Sequence, residues 1–236
     1  MSDPVKPDKP KKRHSLSTRL WHWINAAALI VLFMSGLNIS NAHRYLYWGD
    51  YGYDPADAWT SVMRFPGWAT IPGHYDLAAA RDWHNIAAWV FGVGLLFIWI
   101  MMLVNRHFTR DVMTSRSDWS LPVLAKSVRD HLNRDFSTRQ GKYDPLQKIA
   151  YGTVFGILLP MMIFTGLAIS PGFEPAAPWL IEILGGRQSA RTLHFLFAWG
   201  TFAFFVVHIA LVLLSGPVRQ IIGMITGVES EDRNDG

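Results

Sequence analysis

Four long windows without a formally charged side chain organise this sequence: Leu20–His43, Trp83–Asn105, Ile149–Phe173 and Thr192–Val218. Each exceeds the roughly 20 helical residues needed to cross a hydrocarbon core. Backbone N–H and C=O groups find no water partners in lipid, so spans of this kind are helices and not isolated strands. The windows therefore predict an all-α fold, an integral membrane four-helix bundle. Composition matters for what it excludes. The chain has no cysteine, which rules out disulfides, iron–sulfur clusters, thioether-linked haem and thiolate metal sites.

Lysine and arginine set the orientation. Of the 22 in the chain, 17 fall in the leader, in the Arg106–Lys148 connection or in the tail from Ser215. Positive charge stays cytoplasmic, which places both termini inside. The net charge of +4 then reflects topology and attraction to anionic lipid, with no nucleic-acid partner implied. The predicted organisation is a basic, disordered leader over residues 1–19, a membrane domain over 20–218 and a cytoplasmic tail over 219–236. Within the domain the spans are 20–43, 83–105, 149–173 and 192–218. A long outer loop covers 40–82 and an inner loop 106–148, in which Ser120 opens a short amphipathic helix. The start of the chain lacks the small-residue cleavage site of a signal peptide. The outer loop is rich in aromatic residues ("YLYWGDYGYDPADAW"), and two readings stand for it, a functional or docking loop and an interfacial aromatic belt.

A weak internal repeat relates the two halves. Gly36-Leu37-x-Ile39-Ser40 closes the first span and Gly166-Leu167-x-Ile169-Ser170 the third; Arg81-x-x-His84 opens the second and Arg191-x-x-His194 the fourth. Parallel repeats of this kind imply two helical hairpins about a pseudo-twofold axis along the membrane normal. The copies differ at two positions. Ile98 stands where His208 would repeat, and Gly152 where His22 would.

Four of the nine histidines lie inside spans, His22, His84, His194 and His208, while His43 stands at the edge where the first span meets the outer loop. An ionisable side chain in a span is a functional hypothesis by default. The 14 residues from His194 to His208 bring the second imidazole to within about 40° of the first, about 21 Å further along the helix. The direction of each span then sorts the four by depth: His84 with His194 near the outer face, His22 with His208 near the inner. Two imidazoles at one level of a bundle suit the axial positions of a haem iron. A structural zinc wants four close ligands, and no span supplies a carboxylate or thiolate. Arginine precedes three of the histidines by three residues, as Arg19, Arg81 and Arg191. Residues so spaced share a helix face, where guanidinium groups would meet haem propionates; the plainer alternative is that arginine accumulates at span ends. Arg219 is a further candidate for an inner propionate. Gly36, Gly92, Gly94, Gly152, Gly156, Gly166 and Gly200 supply candidate gaps for a flat macrocycle, and Gly152 stands at the depth of His22. His14, His43, His74, His107 and His131 read as ordinary surface histidines.

The stretches "RLWHWINAAALIVLFMSGL", "RDWHNIAAW", "LQKIAYGTVFGILLPMMIFTGLAISP" and "RTLHFLFAWGTFAFFVVHIALVLLSG" resemble the prokaryotic di-haem cytochrome b family. Its members include bacterial cytochrome b561 and the membrane subunits of NiFe-hydrogenase, formate dehydrogenase and thiosulfate reductase. The resemblance runs from Arg13 to Gly227, and the "LYWGDYG" loop leans toward the thiosulfate-reductase-like branch. It implies two haem b groups, held by His22 with His208 and by His84 with His194. It also implies electron exchange with the quinone pool and a periplasmic, molybdopterin-type oxidoreductase docked on the loop 40–82. The setting it implies is the bacterial inner membrane. Asn25, one turn beyond His22, and Arg19 are candidate quinone contacts. Two other classes remain open from sequence: a self-sufficient quinone oxidoreductase reacting with superoxide or another small oxidant, and a transporter or metal-ion channel that uses intramembrane histidine and would be colourless.

Overall fold

The computed structural model describes residues 15–104, 120–132, 145–214 and 216–227. The leader up to His14, much of the inner loop with His107, and the tail beyond Gly227 lie outside the described residues. Four rods dominate: α1 (Leu16–Ala42), α2 (Leu77–Val104), a third made of α4 (Pro145–Thr153), a π-helical turn (Val154–Leu158) and α5 (Leu159–Ala168), and α7 (Arg187–Leu214). Each is long and apolar enough to cross a membrane. Short elements complete the chain: the strands β1 (Tyr45–Leu46) and β2 (Thr60–Ser61), and the helices α3 (Leu121–Leu132), α6 (Trp179–Ile183) and α8 (Pro217–Thr226).

The helices start earlier than the uncharged windows because polar first turns cap them outside the apolar stretch. The Ser15 hydroxyl accepts the Thr18 N–H, and the Asp76 carboxylate accepts that of Ala79, both satisfying N–H groups orphaned at a helix start. Arg81 and Arg191 thereby become helical residues. The third rod stops at Ala168, short of Phe173, since Pro171 and Gly172 cannot continue it. Its π turn has a local cause. Pro160 has no N–H for the Gly156 carbonyl, and the backbone widens so that Leu159 N–H bonds to Val154 O.

The rods close into a ring. α1 packs along α2, where Trp21 Nε1 donates to Gly94 O at 2.8 Å. α2 meets the third rod through Leu95, Val154 and Leu159. α5 packs on α7, and α7 returns to α1 through Phe33 and Phe202, stacked at 4.2 Å. Ile86, Val93, Leu96 and Leu213 are exposed on the outside of the ring, as lipid-facing positions are. At Gly216, φ +90°, the chain turns and Pro217 starts α8. Arg19 Nη1 donates to the Ile225 carbonyl and Trp23 Nε1 to that of Met224 at 3.2 Å, tying the end of α8 to the first turns of α1.

The 40–82 loop is fixed across the opposite end. Asn38 Nδ2 donates to Pro72 O and His74 O at 3.0 and 2.8 Å, and Asn41 makes a reciprocal pair with the Phe65 backbone. The start of α7 receives the loop as well. Gly49 O accepts the Gln188 and Ser189 N–H groups, Ser189 Oγ accepts Gly49 N–H at 2.7 Å, and buried Thr192 Oγ1 donates to Tyr47 O at 2.7 Å. Gly186 (φ +107°) lies so close that a Cβ would collide with the Gly49 backbone. Trp48, Tyr51, Tyr53, Trp59, Trp68 and Tyr75 remain exposed on this loop.

Candidate cofactor site

Two histidine pairs lie inside the ring at separate levels. His84 of α2 and His194 of α7 have ring centroids 6.2 Å apart and planes 67° apart. His22 of α1 and His208 of α7 are 6.4 Å apart, planes at 56°. Between the levels an aromatic layer forms from Phe33, Trp199 and Phe202, with centroid separations of 4.2 to 5.6 Å.

The pair nearer the long loop has hydrogen-bond partners on the preceding helix of each hairpin. Ser35 Oγ lies 3.0 Å from His84 Nδ1, and Thr165 Oγ1 lies 2.8 Å from His194 Nδ1. Each hydroxyl has one proton, and each sits 2.6 Å from a carbonyl one turn back, Val31 O and Met161 O. The proton goes to the carbonyl, so the hydroxyl oxygen accepts from Nδ1–H. That assigns the neutral tautomer with Nε2 unprotonated and its lone pair open to a metal. Sequence reasoning passed over both hydroxyls. The available signal was the repeat, which starts one residue earlier than Gly36 and Gly166, at Ser35 and Thr165.

The glycines sort by what a side chain would meet. A Cβ on Gly36 would stand 3.6 Å from His84 Cε1, and one on Gly166 3.3 Å from His194 Cε1. Gly94 abuts Asn25 and Gly200 abuts Leu158, whereas a Cβ on Gly92, Gly152 or Gly156 would meet nothing within 4 Å. Asn25 is buried between α1 and α2, its amide donating to Trp21 O at 2.9 Å. Arg19 points to the end of α8. Arg191 donates to Gln188 Oε1 at 3.0 Å, and Arg81 is exposed.

His43 departs from an ordinary surface histidine. It is half-buried at the end of α1, and its buried Nε2 has no hydrogen-bond partner among the described residues. Burial first, then the charges of Arg191 and Arg81, lower its pKa to about 4. His74 is exposed, 4.0 Å from the Asp76 carboxylate.

The donor set fits haem. Among the described residues no cluster of three or more His, Cys, Asp or Glu side chains exists to hold a bare metal ion. Two facing imidazoles at 6.2 and 6.4 Å leave room for one metal atom, given metal–nitrogen bonds of about 2 Å each and ring radii of about 1.1 Å. Two axial donors per iron complete a macrocycle's coordination and fall short of a zinc site's four.

A family model described as prokaryotic cytochrome b561 matches residues 13–227. A relative from Cupriavidus necator, named as a Ni/Fe-hydrogenase B-type cytochrome subunit, is 27% identical over 81% of this chain and 74% of its own length. One from Azospira oryzae, named as a protein-methionine-sulfoxide reductase subunit YedZ1, is 28% identical over 89% of this chain and 93% of its own length. The cytochrome YdhU of Escherichia coli is 27% identical over 72% of this chain and 59% of its own. No solved structure matches the chain.

Proposed function

Because the chain belongs to the prokaryotic cytochrome b561 family, and is thus a multi-pass b-type cytochrome that transfers electrons in a bacterial membrane, we propose that it holds two haem b groups. His84 and His194 ligate the outer one, His22 and His208 the inner. Both termini face the cytoplasm, and the membrane is the inner membrane. Haem supplies the one-electron chemistry; the protein holds, spaces and tunes it. Arg81 and Arg191 bring positive charge to the outer end, which favours reduction there. Arg19 does the same at the inner end while bonded to α8, and the open approach beside Gly152 gives the inner macrocycle its space.

The inner end exchanges electrons with quinone, and the outer loop docks a periplasmic oxidoreductase of the molybdopterin type. The relatives named as subunits of a hydrogenase and of a methionine-sulfoxide reductase support a partnered role. So does a loop whose backbone is bonded down while its aromatic side chains stay exposed. Asn25 packs the α1–α2 seam in this reading.

The observation that carries the proposal is the pair of imidazole–imidazole separations, 6.2 and 6.4 Å, at two levels of one ring of helices. The test is the purified protein's spectrum and haem content. Two haems per chain with bis-histidine absorption are expected. His84→Ala or His194→Ala removes one haem and leaves the other. A colourless protein, or loss of both haems together, refutes the assignment.

A further inference from the structure

We infer that Ser35 and Thr165 are positioning residues for the outer haem: each hydroxyl fixes the tautomer and azimuth of one axial imidazole and sets how strongly it donates to iron. The inference rests on the di-haem reading and goes beyond it to residues outside the ligand set.

Three observations carry it. Both hydroxyl residues are fully buried, at 0% exposure, in the interior of helices where a serine or threonine earns no propensity advantage. Both make the same pair of contacts, to the carbonyl four residues back and to the imidazole Nδ1 across the hairpin. Both are followed by a glycine whose absent side chain lets the imidazole edge lie against the helix backbone, with virtual Cβ distances to Cε1 of 3.6 and 3.3 Å. Each hairpin thus carries its own half-site: a hydroxyl and a glycine on the first helix, a histidine on the second. The two copies of the repeat agree at this end, and part at the other, where Ile98 and Gly152 stand in for His208 and His22.

The physical consequence is twofold. An imidazole held at Nδ1 cannot rotate about its Cβ–Cγ bond, so Nε2 is aimed before the cofactor arrives. An acceptor on Nδ1–H also adds electron density to the ring, which strengthens its bond to ferric iron and lowers the haem potential. The acceptor here is a neutral hydroxyl already polarised by donating to a carbonyl, so the effect is that of a neutral hydrogen bond.

The test uses the full-length holoprotein in detergent, with haem quantitation, redox titration followed optically and low-temperature electron paramagnetic resonance of the ferric state. Thr165→Val keeps the shape of the side chain and deletes the hydroxyl acceptor, leaving the Met162 backbone beside the ring; Thr165→Ser restores it. Ser35→Ala and Ser35→Thr form the second series. His194→Ala identifies which signals belong to the outer haem. In Thr165→Val the reduction equilibrium of the outer haem should rise about fivefold, about 40 mV at 59 mV per decade, with a shifted resonance and an unchanged inner haem. Loss of the outer haem alone, rescued by Thr165→Ser, supports the same role. Wild-type potentials and resonances in both Thr165→Val and Ser35→Ala, or equal changes at the two haems, overturn it. A wild-type protein without two haems overturns the underlying assignment instead, so the two failures are separable.

Discussion

Adding a single methyl group under the outer pair gives a graded test of the site. In Gly166→Ala the new Cβ would lie 3.3 Å from His194 Cε1, whereas in Gly36→Ala it would lie 3.6 Å from His84 Cε1. The second distance is ordinary van der Waals contact. The first requires the imidazole to retreat by a few tenths of an ångström. His194 is held at Nδ1 by Thr165, next to the mutated residue, so the ring cannot slide without lengthening that 2.8 Å bond. Overpacking of a closed site costs about 1–3 kcal/mol; with His194 as the proposed haem ligand, the strain would fall on the iron–imidazole bond and on the helix contact. On the proposed two-haem assignment, Gly166→Ala should keep the wild-type haem content, shift the outer haem's resonance and potential, and lower the melting temperature by a few degrees. Gly36→Ala should match wild type in all three. Spectroelectrochemical titration and thermal denaturation followed at the Soret band read the outcome. Equal effects of the two substitutions, or a change confined to the inner haem, would refute the geometric reasoning.

Two further predictions concern the loop end. Thr192→Val deletes the buried donor to Tyr47 O and leaves that carbonyl unsatisfied, for about 1–3 kcal/mol; faster proteolysis within residues 44–62, with haem content intact, is the expected readout. His43, with its pKa lowered to about 4, is neutral in the folded protein at pH 6, whereas an unfolded chain protonates near 6.5. The unfolded state therefore binds the extra proton, and stability falls as pH drops from 6.5 toward 4 while staying flat above. Melting temperatures over that range should show the slope, and His43→Gln should flatten it.

How much of this was readable in advance depended on whether the cause was local. Helical periodicity and span direction sort the histidines by depth, since a helix in lipid has no freedom to place residue 208 anywhere but about 21 Å from residue 194. The ends were less legible. The cap at Asp76 moved the start of α2 back to Leu77, because charged residues are tolerated in a first turn outside the hydrocarbon. α8 went unseen because its apolar face is short, and its anchor is a set of bonds to Arg19 and Trp23 some 200 positions away. His43 looked like any loop histidine until the surroundings of its Nε2 were known.

Sequence by itself settled four lipid-length helices and the level of each imidazole, because both follow from rise per residue and the absence of charge. Only the tertiary structure decided which hydroxyl meets which imidazole, and which glycine lies under a ring. Ser35 and Thr165 satisfy their own helices' carbonyls, so nothing along the chain distinguishes them from ordinary back-bonded hydroxyls. Their second bond crosses to another helix, and its existence depends on how the two rods are rotated about their axes, a variable set by the packing of every side chain between them.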